Sequence, residues 1–295
     1  MDKRVVAVLL LTVSMVLWAC GNGAEEVEDT KSPKIVEEEA PKEEAPKEEG
    51  SEEEKEEKSG EMPSVEEIAA RYQGQVPEEW GEEVTGVKTG IDTEEKVIAL
   101  TFDACGGGYD GNLIQYLKEN QIPATLFISG GWIDNHPEVL ETLWKHPSFD
   151  IANHGKDHKP LSVTGKSAYG IPGTDSVEGV YEEVYDNHRR IKEITGQGPK
   201  FFRSGTAYYD EVAVSIAKDL GQTVVNYNVL GDGGATFTAD QIYEAMIRAE
   251  AGSIMLFHMN HPHSDVAKGV KRGIEALQEE GFEFVLLKDH RENLE

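Results

Sequence analysis

From residue 97 onward, short apolar runs rich in β-branched and aromatic residues alternate with longer stretches whose apolar residues recur every three or four positions. The first pattern fits strands buried on both faces, the second amphipathic helices. Strands are predicted at 97–102, 124–128, 150–153, 200–203, 222–227, 253–258 and 284–287, and helices at 111–120, 137–145, 177–195, 210–220, 239–249 and 266–280. A short helix at 64–73 and a segment around Pro77 and Trp80 lead in. Gly196, Gly221, Gly252 and Gly281 stand where helices end, and Thr238 and Asp265 where helices begin. Seven strands separated by helices predict a parallel α/β fold. Its expected form is a single-domain incomplete or distorted (β/α) barrel, preferred over a doubly wound open sheet. Gly106-Gly107-Gly108 lacks the spacing of a phosphate loop or dinucleotide-binding turn.

Upstream the pattern changes twice. Residues 1–19 read as a secretory signal: Lys3 and Arg4, then an apolar run from Val5 to Trp18, then Ala19. Leu17-Trp18-Ala19-Cys20 resembles a bacterial lipobox, which implies cleavage before Cys20 and a lipid on its sulfur; the plainer alternative is an ordinary signal peptide with a chance cysteine. The run is too short to favour a permanent transmembrane helix. Residues 20–63 contain Ala-Pro-Lys-Glu-Glu twice in tandem, and between Glu25 and Glu61 carry 17 acidic against 6 basic side chains and no aromatic residue. Such a segment buries too little to offset its ordering entropy and reads as a self-repelling tether. The remainder, 64–295, holds 38 acidic and 20 basic residues, which argues against nucleic acid as a partner. If Cys20 is acylated, Cys105 is the only free thiol.

In α/β barrels reactive groups stand at the C-terminal ends of strands. Those ends here carry Asp103, Asn153-His154, Arg203, the stretch from Asn228 to Asp232, and His258. His154 and His158, four apart, suit one metal ion, with a pair of surface histidines as the alternative. Arg203 is placed to pin a carboxylate, or is a surface arginine. His258 suits a general acid near neutral pH, or is a core histidine satisfied by backbone. Asp232 is placed to hold His258, or simply forms an Asp-Gly turn. The Ser204–Ala207 turn offers backbone N–H groups to a developing oxyanion. Asp110 reads as a helix N-cap, and His261 and His263 as rim residues.

Thr101-Phe102-Asp103, His154-x₃-His158, Phe201-Phe202-Arg203 and Ile254-Met-Leu-Phe-His258 resemble, in order, the motifs of NodB-homology polysaccharide deacetylases, carbohydrate esterase family 4, over residues 96 to 290. The resemblance implies an incomplete barrel that binds a divalent ion, usually zinc, and hydrolyses acetyl groups of polysaccharides. It implies that Asp103 is the catalytic base, His154 and His158 the metal histidines, Arg203 the residue that fixes the base, and His258 the general acid. The oxyanion would lie near the backbone of Thr206. Three positions depart from the family. Ala104 stands where a second Asp usually binds metal, Ser204-Gly-Thr-Ala replaces a Pro-rich turn, and Asp232 lies in a divergent fourth motif. Asp103 itself, water, Cys105 or Asp110 are the candidates for the vacant ligand position. The expectation is a secreted, lipid-anchored, extracytoplasmic deacetylase acting on an N-acetylated glycan, peptidoglycan first, with O-acetyl groups open. A catalytically impaired glycan-binding module and a metal-independent amide hydrolase are the competing readings.

Overall fold

The computed structural model describes residues 62–295. The signal sequence, Cys20 and nearly all of the acidic tether lie outside the described residues. Within them the elements alternate as expected: α1 (Val65–Tyr72), β1 (Val97–Ala104), α2 (Gly111–Glu119), β2 (Ala124–Ile128), α3 (Gly130–Asn135), α4 (Pro137–Trp144), β3 (Phe149–Asn153), α5 (Val177–Thr195), β4 (Phe201–Phe202), α6 (Glu211–Asp219), β5 (Thr223–Val224), β6 (Val229–Leu230), α7 (Ala239–Met246), β7 (Ile254–His258), α8 (Val266–Glu279) and β8 (Glu283–Val285).

All strand pairings are parallel, and the strands run in the order β5-β4-β3-β2-β1-β7-β6. The last four residues of β1 pair with β2, while its first three pair with β8. β5 and β6 end the row without pairing to each other, so the barrel is open there. The lead-in segment crosses the opening, with Lys88 bridged to Val225 and Gly90 to Ser253. Every residue of β1 is buried, as a parallel strand covered on both faces requires. Its outward side chains, including Phe102 and Ala104, join the main apolar layer with Leu126, Ile128, Phe257 and Leu277. Asp103 faces the other way.

Three expectations change. α3 and β6 were not anticipated. α3 begins with two glycines, poor helix formers, yet Ser129 caps it by accepting the Trp132 N–H at 3.1 Å, and Trp132 is fully buried. α7 stops at Met246, three residues short of the predicted end, which leaves Gly252 in the turn before β7 rather than at a helix cap. Asp265 occupies the N-cap position of α8 without capping it; its carboxylate takes the Lys268 ammonium at 2.8 Å instead. Thr238 forms a full capping box and Gly196 ends α5 in the left-handed conformation, as expected.

Candidate active site

β1 and β7 lie side by side with Asp103 in register with His258, so the acid and the imidazole leave the same end of the sheet. Asp103 is 3% exposed, and an ion buried this far needs a partner. Arg203, wholly buried just past β4, supplies it. Its Nη1 donates to Asp103 Oδ1 at 2.8 Å and to Thr101 Oγ1 at 3.0 Å, Nε donates to the Val225 carbonyl at 3.0 Å, and Nη2 donates to the Asn226 carbonyl at 2.8 Å. The guanidinium also lies 4.2 Å from the centre of the Phe127 ring. Burial opposes the charge on Asp103, but His154, Arg203 and His258 outweigh it and hold the carboxyl below its ordinary range. The surface-arginine alternative is excluded.

The second pair is His258 with Asp232. Asp232 is fully buried; its oxygens lie 3.0 and 3.2 Å from His258 Nδ1, and Oδ2 also accepts the His258 backbone N–H at 2.6 Å. Nδ1 therefore carries the proton and Nε2 faces the site. Burial favours the neutral ring, yet Asp232 and Cys105 outweigh it and raise the His258 pKa well above its ordinary value. Asp232 is more than a turn residue.

The third group is His154 with His158. His154 is 1% exposed, and its Nδ1 lies 3.0 Å from the Arg203 carbonyl, which can only accept. Nε2 is left as a lone pair, 3.5 Å from Asp103 Oδ2 and 3.5 Å from Cys105 Sγ. His158 stands edge-on to His154 with ring centres 4.9 Å apart, and its buried Nε2 has no hydrogen-bond partner. The donor atoms of Cys105, His154 and His158 all lie within 4.8 Å of one another. An orphaned imidazole nitrogen beside a second free nitrogen and a thiol is a donor set that fits a divalent ion.

The loop between the histidines is held from behind. Glu183 on α5 accepts the backbone N–H groups of Asp157 and Lys159 at 3.0–3.1 Å. Asn153 Oδ1 accepts from Gly155 at 3.0 Å and from Asn187 at 2.7 Å. Gly155 lies against the Glu183 carboxylate and Gly205 against the backbone and ring of His158, so a Cβ at either would overlap its neighbour. Thr206 is buried beside Gly205 with an unpartnered hydroxyl. Glu183, Asn187, Thr101 and Asn226 were not anticipated as site residues; Glu183 and Asn187 were legible only as polar residues on the apolar stripe Val180, Val184, Ile191 of α5.

The other candidates fall outside this centre. Asp110 caps α2, accepting the Leu113 N–H at 3.0 Å, and supplies no ligand to the histidines. His261 and His263 are exposed, with the His261 ring 6.3 Å from that of His258, a rim position.

Residues 90–225 match the polysaccharide deacetylase family profile. A chitooligosaccharide deacetylase from Bradyrhizobium is 23% identical over 201 residues, covering 63% of this chain and 86% of that protein. A family 4 carbohydrate esterase from Bacillus anthracis is similar in structure, with a TM-score of 0.56 at 25% identity over 74% of this chain and 97% of its own. A family 4 pseudoenzyme from the same organism gives a TM-score of 0.61 at 19% identity, covering 71% of this chain and 70% of its own.

Proposed function

We propose, from the premise that the chain belongs to the polysaccharide deacetylase family (NodB homology, carbohydrate esterase family 4), that it removes acetyl groups from an N-acetylated glycan with the help of a divalent ion. The observation that carries this reading is the convergence, at one end of one sheet, of a buried carboxylate–guanidinium pair, a buried carboxylate–imidazole pair, and two neighbouring imidazoles, His158 with an unpartnered Nε2 and His154 with its Nε2 lone pair turned to the Cys105 thiol. His154 and His158 would hold the ion, which when bound polarises the acetyl carbonyl and acidifies water. Asp103 is the general base. Arg203 keeps it ionised at neutral pH and fixes its orientation through a fork that also donates to Thr101 Oγ1 and to the Val225 and Asn226 carbonyls. His258, its Nδ1 held by Asp232, carries a proton on Nε2 and delivers it to the leaving amine. The backbone at Thr206, against the His158 loop, faces the developing oxyanion. Water attacks the acetyl carbon, its proton passes to Asp103, the C–N bond breaks, and acetate and the free amine leave.

Peptidoglycan is the substrate proposed first, because the signal sequence, Cys20 and the acidic tether point to an extracytoplasmic, lipid-anchored enzyme. As a flexible coil a tether of about 40 residues reaches roughly 35 Å. Zinc is the ion proposed, since two imidazoles suit it. The test is elemental analysis and turnover of the purified protein beside His154→Ala. Metal and activity should both be lost in the variant while its circular dichroism is unchanged. Ordinary activity in His154→Ala would end the assignment, and a variant that keeps its metal would move the ion elsewhere.

A further inference from the structure

The family places a carboxylate ligand where this chain has Ala104. The structure closes that position: Ala104 is fully buried in the apolar layer with Leu126 and Ile128, on the opposite side of β1 from Asp103. The next side chain, Cys105, returns to the site. We propose that Cys105 supplies a thiolate as third ligand to the ion held by His154 and His158, so that the centre selects thiophilic ions such as zinc and cobalt over magnesium, calcium and manganese. This inference rests on the metal-dependent reading above and deepens it.

Three observations support it. The first is distance. A tetrahedral ion bonded at about 2.3 Å to sulfur and about 2.0 Å to nitrogen separates those atoms by about 3.5 Å. Cys105 Sγ and His154 Nε2 are 3.5 Å apart. The second is the donor set: His158 Nε2 is buried without a partner, and His154 Nε2 presents a lone pair to the Cys105 sulfur because Nδ1 donates to the Arg203 carbonyl. The third is rigidity. The four carbonyls from Cys105 to Gly108 each bond a different side chain: Ser129 Oγ at 2.9 Å, Asn260 Nδ2 at 2.7 Å, His136 Nε2 at 2.9 Å and Trp132 Nε1 at 2.9 Å. A turn pinned at every carbonyl holds its first side chain in place before any ion arrives, as a preorganised ligand requires.

Ligand softness gives the functional consequence. Imidazole and thiolate favour zinc and cobalt, whereas the oxygen-binding ions lose the carboxylate they would use. On binding, the Cys105 S–H bond breaks, the sulfur–metal bond forms, and one proton leaves to solvent.

The experiment loads the metal-free full-length protein with cobalt(II) and records its absorption. The wild type should show the visible bands of a tetrahedral site together with a near-ultraviolet sulfur-to-cobalt band. Cys105→Ser should keep the visible bands and lose the near-ultraviolet one, while Cys20→Ser should keep both. Visible bands without the sulfur band in the wild type, or a sulfur band that survives Cys105→Ser, would overturn the thiolate ligand and leave the metal-dependent reading standing. Failure to bind cobalt at all would overturn both. Should Cys105→Ser not fold, Cys20→Ser decides, because Cys105 is then the sole cysteine and a missing sulfur band overturns the proposal. Iodoacetamide, followed by peptide mapping, should label Cys105 at least tenfold faster in the metal-free protein than in the zinc-loaded one; equal labelling would overturn the proposal.

Discussion

Replacing Arg203 separates the two things its guanidinium does. The fork meets four acceptors, of which the Val225 and Asn226 carbonyls are neutral and the Asp103 carboxylate is charged. Arg203→Lys keeps the charge but not the fork. Two buried carbonyls then lose their donors, at about 1–3 kcal/mol each, which places the variant about 2–6 kcal/mol below the wild type. Arg203→Met also strands Asp103 as a buried unpaired anion, adding about 3–5 kcal/mol at neutral pH. That sum approaches the ~5–15 kcal/mol by which whole domains are stable. The pH dependence has a definite sign. In the wild type the Asp103 pKa is lowered, so its stabilisation is present above the unfolded carboxylate value and is lost as pH falls through the lowered one. In Arg203→Met burial dominates and the pKa rises above the unfolded value of about 3.9, so the deficit shrinks as the pH is lowered from neutral to about 4. Urea denaturation at the two pH values reads both effects. Deficits under about 1 kcal/mol in both variants, or a Met deficit that does not change with pH, would refute the buried ion pair as the support of Asp103.

Three other outcomes follow from the same geometry. Burial lowers the His258 pKa, but Asp232 and Cys105 raise it by more, so Asp232→Asn should bring the alkaline limb of kcat/KM down toward neutrality and cut turnover by about 10²–10⁴-fold; an unmoved limb would contradict the pairing. Gly205→Ala puts a methyl group onto the His158 backbone, so zinc affinity in a competition titration should fall about 10–100-fold with the fold intact, and unchanged affinity would contradict the packing. Burial pushes Asp150 up to about 6, so its ionisation costs stability that grows as pH rises from the unfolded carboxylate value to about 6. Asp150→Asn should therefore stabilise the protein by about 1–3 kcal/mol at neutral pH and by nothing near pH 3, and a gain at both values would point to another cause.

The strands that position the site were legible where they are long. β1, β2 and β7 are continuous apolar runs buried on both faces, and Asp103 and His258 stand at the polar ends of two of them. β4, β5 and β6 have two residues each, too few for a periodicity, so Arg203 was found from Phe201-Phe202 and the family resemblance, and β6 was missed. α3 was hidden by its glycines and rests on the Ser129 cap and on Trp132 burial, which are tertiary facts. The partners of the site residues were legible only in part. Asp232 was a candidate for His258, but Glu183 and Asn187 looked like interruptions of a helix face until the fold brought Asp157 and Gly155 against them. The alternatives left open at Ala104 narrow for a physical reason. Strand alternation sends that side chain into the core, Asp110 is engaged as a cap, and Cys105 is the residue brought within ligand distance of both histidines.

The central claim is metal-assisted deacetylation by the residues gathered at this sheet end. It is tested most directly by acetate release from acetylated chito-oligomers and from peptidoglycan fragments, measured on one preparation as purified, after chelation, and after zinc is restored. The account predicts release, its loss on chelation and its recovery with zinc. Release that persists in protein shown by elemental analysis to be free of metal, or no release from any acetylated glycan by metal-replete protein, would contradict it.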